Sequence, residues 1–334
     1  MGHLQDRQNP SEPHGRKCAQ RQAFIRVAAA LVGCGLASLG FGQAQPSVQF
    51  NADRAWTDLV KQCSYGPRVP NTDDTGAHKQ CEDYILAEMK KSCDEADAQE
   101  FSYYWRHGRK ELKMANLIGT QNWKDAKVRV VLLAHWDSRP EADQDPNPAN
   151  QNTPILGADD GASGVAVLLE LARAMKGRVP KDLGIMYFMT DGEDVGPDSA
   201  EMYLGVKQFM RVLEAPRPNY GILLDMIGNK GVRVPMEPGS MRGRSGLVES
   251  AFYKHAQDIG LGSTFPAEVG EEIEDDHLVL INGGIPTIDL IDFNYAPWHT
   301  LQDTVDKCSP DSLKKIGTAL ESWLLQDPPF TLGK

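Results

Sequence analysis

The stretch that decides the fold is Val128, Arg129, Val130, Val131, Leu132, Leu133 and Ala134, running without a break into His135, Trp136 and Asp137. A strand with one wet face alternates apolar and polar residues. A nearly continuous apolar run instead marks a central strand covered on both faces. Residues 183–189 read the same way, and 220–226 and 287–291 read as further strands. Residues 162–175 form an amphipathic helical pattern between the first two, and helical segments follow at 200–213, 246–259, 276–281 and 310–325. Upstream, 51–63 and 78–91 carry apolar residues at helical spacing, while 101–105 and 114–119 read as strands. Strands alternating with helices predict an α/β three-layer sandwich: a central mixed, mostly parallel β-sheet flanked by helices.

In such a sheet, ligands gather at the carboxyl ends of the strands. The chain places polar residues at those ends. Residues 128–134 lead to His135-Trp136-Asp137, and the Asp-, Asn- and Pro-dense loop 137–153 leads on to Gly157-Ala158-Asp159-Asp160-Gly161 at the start of a helix. Residues 183–189 lead to Asp191-Gly192-Glu193-Asp194, 220–224 lead to Asp225, and 287–291 are followed by Trp298-His299-Thr300. Taken singly, each aspartate reads as a helix cap or a solvated turn. Recurrence at five strand ends or adjoining loops is what points to a site. Carboxylate oxygens and neutral imidazoles are the usual non-thiolate ligands of catalytic zinc. Of the adjacent pair Glu193 and Asp194, one can ligate metal while the other transfers protons, the alternative being a plain acidic turn. His277 reads either as a further site group or as a structural histidine orienting its neighbours.

Composition narrows the partners. A formal charge of −11 argues against binding nucleic acid, which needs a basic stripe to displace counterions. Arg16, Lys17, Arg21 and Arg26 precede an apolar, small-residue run at 27–39. That order predicts a signal peptide over residues 1–44, cut after Gly42 or Ala44, then a single catalytic domain over 45–334 in an exported, periplasmic or secreted protein. The run is too short for a comfortable membrane span. Leu31-Val32-Gly33-Cys34 resembles a lipoprotein cleavage box, so a lipid anchor on Cys34 is the alternative ending. Cys63, Cys81, Cys93 and Cys308 then remain, an even number that an oxidising compartment allows to pair. On one continuous helix Cys81 and Cys93 are too far apart to bridge, so Cys63 with Cys81 is the expected pair.

Together, His-x-Asp after a buried strand, Gly-Ala-x-Asp-Gly-Ala-Ser-Gly opening a helix, the acidic pair, a strand-end Asp and a final His-Thr resemble the zinc aminopeptidase superfamily, and within it the bacterial glutaminyl cyclases. His135 to Pro140, Asp225-Met226-Ile227-Gly228, Asp275-Asp276-His277 and Trp298-His299-Thr300 carry the finer likeness. The resemblance implies a zinc exopeptidase-like fold and one zinc per chain on Asp160, Asp194 and His299. It further implies Glu193 as the proton-transfer group, Asp225 and Asp275 as hydrogen-bonding carboxylates, and Trp298 and His135 in the substrate pocket. The implied reaction converts the N-terminal glutamine of peptides to pyroglutamate with release of ammonia; a monomer is the expected state. The alternative is an aminopeptidase with two zinc ions on His135, Asp160, Asp194, Asp225 and His299, with Asp160 bridging. Residues 195–199 lack the tryptophan of the animal cyclases, Glu274 stands where those have an amide side chain, and their vicinal cysteine bridge is not matched.

Overall fold

A computed structural model describes residues 47–71 and 76–333; the expected signal peptide, with its alternative lipid anchor, lies outside them. The described residues form one compact unit. In chain order its main elements are α1 (Ala52–Ser64), α2 (Gly76–Ser92), β1 (Glu95–Trp105), β2 (Lys110–Gln121), β3 (Val128–His135), α3 (Ala162–Met175), β4 (Leu183–Thr190), α4 (Leu204–Val212), β5 (Tyr220–Asp225), α5 (Ser245–Asp258), α6 (Asp276–Asn282), β6 (Thr287–Ile291) and α7 (Pro310–Leu324). Among the described residues no helix is long and apolar enough to cross a membrane.

The sheet has the order β1-β2-β4-β3-β5-β6. β3 lies parallel to β4 and β5, and β5 parallel to β6, while β2 runs antiparallel to both β1 and β4. Alternation along β3 explains the layers. Val130, Leu132 and Ala134 enter the large core built with α1, α3 and α7, whereas Val131 and Leu133 enter the smaller core with Val206 and Phe209 of α4 and Leu280 of α6. Both faces are therefore apolar, as the unbroken run requires. The three-layer, mixed and mostly parallel sheet is as expected. Because β3 to β6 all run the same way, their carboxyl ends meet at one edge.

Helix starts follow local chemistry. Asn51 caps α1 by accepting from the Asp53 and Arg54 amides, both at 3.0 Å, and Ser309 caps α7 ahead of Pro310.

Three expectations change. β1 begins at Glu95, six residues before the expected start, because Glu95, Asp97, Gln99 and Glu100 give an edge strand the look of a solvated segment. The helix expected over 200–213 is a short 3-10 turn and then α4, separated by Tyr203, whose φ of 58° cannot continue a helix. The cysteine pairing is also corrected: all four are free thiols. Cys63, Cys81 and Cys308 are packed into the main apolar core and Cys93 lies against it. Burial pushes Cys63 up to about 11 and Cys81 and Cys93 up to about 12, which makes them inert hydrophobes at neutral pH.

Candidate active site and metal centre

β3 ends in His135, whose Nε2 lies 3.0 Å from Asp160 Oδ1 and 3.3 Å from Asp225 Oδ1 at the end of β5. Its Nδ1 faces Asp137 Oδ1 at 3.7 Å and Glu193 Oε2 at 3.8 Å. Asp160 sits in the turn before α3. Gly161 there has φ 97°, and a Cβ added to it would come 2.6 Å from the Asp137 carbonyl oxygen, so only glycine lets the turn approach β3 this closely. His299 completes the group, with Nε2 3.4 Å from Asp194 Oδ1 and 3.6 Å from Asp160 Oδ2. His299 is itself held at φ 53°, a left-handed conformation that a non-glycine residue keeps only under outside constraint.

The structure thus brings together all eight residues named from the sequence. Glu193, beside Asp194, is nearly buried and faces Asp275 and His135 electrostatically, and Asp275 in turn faces Asp225. Asp275 is also the N-cap of α6, accepting from the Asp276 amide at 2.5 Å. Trp298 lies flat on the His299 ring, centroids 3.9 Å apart, and Phe293 meets it edge-on at 4.9 Å. Ile273, Ile291, Tyr295 and Met226 extend that apolar wall. His277 has both ring nitrogens buried and without a hydrogen-bond partner, and with Asp275 and Asp289 it forms a further buried group of donor atoms within 4.8 Å of one another. Its Nε2 is 3.2 Å from Glu237 and its Nδ1 is 3.7 Å from Asp289.

Several supporting residues hold the site in place, of which Asp303 and Arg68 carry no local signal in the sequence. Asp137 accepts from the backbone amides of Glu193 and Asp194, each at 3.2 Å, and so fixes the acidic turn. Asp303 accepts from the amides of Asp159 at 2.9 Å and Asp160 at 3.2 Å, and from the Tyr295 hydroxyl at 2.6 Å. Arg68, fully buried, donates to the carbonyls of Trp136, Leu156 and Gly157 at 2.7–2.8 Å and clamps the loop that carries Asp160. Asp159, by contrast, points to the Gly228 amide at 2.6 Å and serves the backbone.

The charges do not balance. Burial pushes the Asp160 carboxyl up to about 6, with Asp194 adding to the effect, and burial raises Glu193 and Asp275 well above the usual carboxylate range. Burial also opposes ionisation of Asp194, but the His299 and Arg139 charges overcome it and hold that carboxyl below its ordinary value. Asp160 Oδ2 and Asp194 Oδ2 are both buried and accept no hydrogen bond. Buried, unpartnered carboxylate oxygens facing an imidazole are the chemistry of a divalent cation site. Asp160, Asp194 and His299 each offer an atom within 4.8 Å of the others, and so do His135, Asp160 and Asp225. The donor set fits zinc, with two oxygens and one nitrogen in the first group.

The sequence pattern of Peptidase family M28 matches residues 116–324. The structure of a glutaminyl cyclase from Bacteroides thetaiotaomicron superposes with a TM-score of 0.78 at 34% identity, covering 84% of this chain and 99% of that one. Aminopeptidase YwaD of Bacillus subtilis is 26% identical over 60% of this chain, and the Glutaminyl-peptide cyclotransferase of Bos taurus is 26% identical over 60% of it. The chain spans 42% of the length of the first of these relatives and 64% of the second.

Proposed function

The chain belongs to peptidase family M28, and from that premise we propose that it is a glutaminyl-peptide cyclotransferase, closing the N-terminal glutamine of a peptide to pyroglutamate and releasing ammonia. The observation that carries the reading is the run of carboxylates beside the Asp160, Asp194 and His299 cluster: buried Glu193 faces buried Asp275, which faces half-buried Asp225. A primary carboxamide and a primary amine both present N–H donors, and three clustered carboxylates are built to accept them. Near-complete coverage of a solved glutaminyl cyclase supports the same choice.

Asp160, Asp194 and His299 would hold one zinc, which supplies a Lewis acid for the γ-carbonyl oxygen of the glutamine. Asp225 and Asp275 accept hydrogen bonds from the amide and orient it. Glu193 takes the proton as the substrate's α-amine attacks the γ-carbon, and returns it to the departing ammonia. Amine and amide belong to one molecule, so the ring closes without a second reactant to position. Trp298 and Phe293 wall the aliphatic stem and keep water from the reacting carbon. Export through the N-terminal segment and a monomeric state belong to the same proposal.

A second reading has its own support. His135, Asp160 and Asp225 form a further donor group that shares Asp160 with the first, as a two-zinc aminopeptidase requires. Mass spectrometry of a Gln-initiated dipeptide before and after incubation separates the two. A loss of one ammonia with the peptide bond intact is expected; free amino acids without cyclisation would establish the aminopeptidase instead.

A further inference from the structure

Arg139 follows the strand-end His135 and Asp137 by only a few residues, and the reaction proposed above gives it no part. It is nearly buried, and its guanidinium joins two carboxylates. One amino group donates to Asp194 Oδ1 at 2.9 Å, while Nε and the other amino group donate to Asp143 Oδ1 and Oδ2 at 3.0 and 2.9 Å. Asp143 Oδ1 in turn lies 3.2 Å from His299 Nδ1. Since His299 Nε2 faces Asp194 Oδ1 at 3.4 Å, the four side chains close a ring: Asp194, Arg139, Asp143, His299.

The same loop grips the His299 turn through the backbone. The Gln144 amide donates to the His299 carbonyl at 3.1 Å, and Asp145 Oδ2 accepts from the Leu301 amide at 3.1 Å. Residues 139–145 therefore supply the outside constraint that the left-handed His299 backbone needs. They also decide which atoms are left over. Arg139 occupies Asp194 Oδ1 and leaves Oδ2 without a partner, and Asp143 lies at ion-pair distance, 3.2 Å, from His299 Nδ1, while Nε2 is turned toward Asp160 and Asp194.

We infer that Arg139 and Asp143 form an outer clamp that positions Asp194 and His299, two of the three candidate zinc ligands, before the metal arrives. The inference rests on the reading of Asp160, Asp194 and His299 as ligands. A guanidinium is suited to this task because its planar fork spans two carboxylates at once, which an ammonium cannot do in the same geometry. Partners of this kind commonly change metal affinity by about 10- to 100-fold when removed.

The test is zinc affinity of the full chain, measured by competition with a chromogenic chelator, with D160N and H299A establishing that the zinc counted is the one in this site. Arg139→Ala is expected to weaken binding at least ~10-fold, and Arg139→Lys, which keeps the charge, to recover little of it. Asp143→Asn keeps the shape of the side chain and is expected to weaken binding as well, so the clamp stays testable if the alanine variant does not fold. Cobalt-loaded Arg139→Ala should show visible bands shifted from those of the cobalt-loaded wild type. Wild-type affinity and spectrum in folded Arg139 and Asp143 variants would overturn the clamp alone, and full recovery in Arg139→Lys would reduce Arg139 to a counter-charge. A wild-type chain whose zinc is indifferent to Asp160 and His299 overturns the ligand reading and the clamp with it.

Discussion

On the helical side of the sheet Glu170 is fully buried, yet it takes Arg54 Nε at 2.9 Å, a second Arg54 nitrogen at 2.5 Å and the Asn51 amide at 3.0 Å. Asp58, beside it, is matched by Arg173 at 2.5 and 3.0 Å and by the Tyr84 hydroxyl. At the carboxyl edge of the same sheet, Asp160, Glu193, Asp194, Asp225 and Asp275 are gathered with Arg139 as the guanidinium that reaches one of them. Arg68 is close by but spends its donors on carbonyl groups. Depth of burial is similar in the two places, so burial does not tell them apart. Satisfaction does. Glu170 and Asp58 have their cations and donors, whereas Asp160 and Asp194 each keep a buried oxygen without a hydrogen-bond partner and face the His299 imidazole, as cation ligands would.

The largest expected effect tests the strand-end side. Glu193→Gln should keep zinc, because Asp160, Asp194 and His299 are untouched, and lose about 10²- to 10⁴-fold in kcat, the usual contribution of a positioned proton-transfer group. Steady-state ammonia release on a Gln-initiated peptide, with zinc content measured on the same sample, checks it. Unchanged turnover would move the proton to another residue. On the satisfied side, Glu170→Ala should leave the kinetics alone and destabilise the fold by about 3 kcal/mol, because Arg54 loses its partner and the Asn51 amide loses its acceptor. Denaturant unfolding reads that directly. A kinetic defect in Glu170→Ala would break the division between the two regions.

How far sequence reveals each region follows from the same division. Strands β3, β4 and β6 and helix α3 were legible almost to the residue, because a buried run or an amphipathic stripe is written in consecutive side chains. The strand-end residues were legible too, since a parallel sheet forces His135, Asp194 and Asp225 to one edge once the strands are known. The polar edge strand β1 and the break at Tyr203 were not, because register and a left-handed residue depend on neighbours distant in the chain. Likewise Arg68, Asp143 and Asp303 act on backbone groups or ring nitrogens brought in from elsewhere. An arginine in a turn-rich segment has no local mark that distinguishes a clamp from a surface charge. The orphaned oxygens of Asp160 and Asp194 beside the His299 imidazole are a property of the folded arrangement alone.

Glu249 lets the division be sharpened at smaller scale, because it belongs half to each class. It sits on α5, fully buried; Oε1 accepts from the Glu237 amide at 2.9 Å, while Oε2 is buried with no partner. Burial, with the nearby Glu237 charge adding to it, lifts its carboxyl from 4.5 to about 8. The folded state therefore holds a proton that the unfolded chain releases above 4.5. Stability from this group is complete at low pH and is lost progressively as pH rises from about 4.5 to about 8, then stays level. Glu249→Gln keeps the acceptor for the Glu237 amide and cannot ionise, so its melting temperature should match wild type near pH 5 and exceed it near pH 8. The gain there should be about 1–3 kcal/mol, the scale of one buried polar group without its partner. Thermal melts between pH 5 and 9 would show the two curves separating across that window. Parallel curves would mean that Oε2 is satisfied after all, and that an unpartnered oxygen marks strain or function at the strand ends without marking it everywhere in this fold.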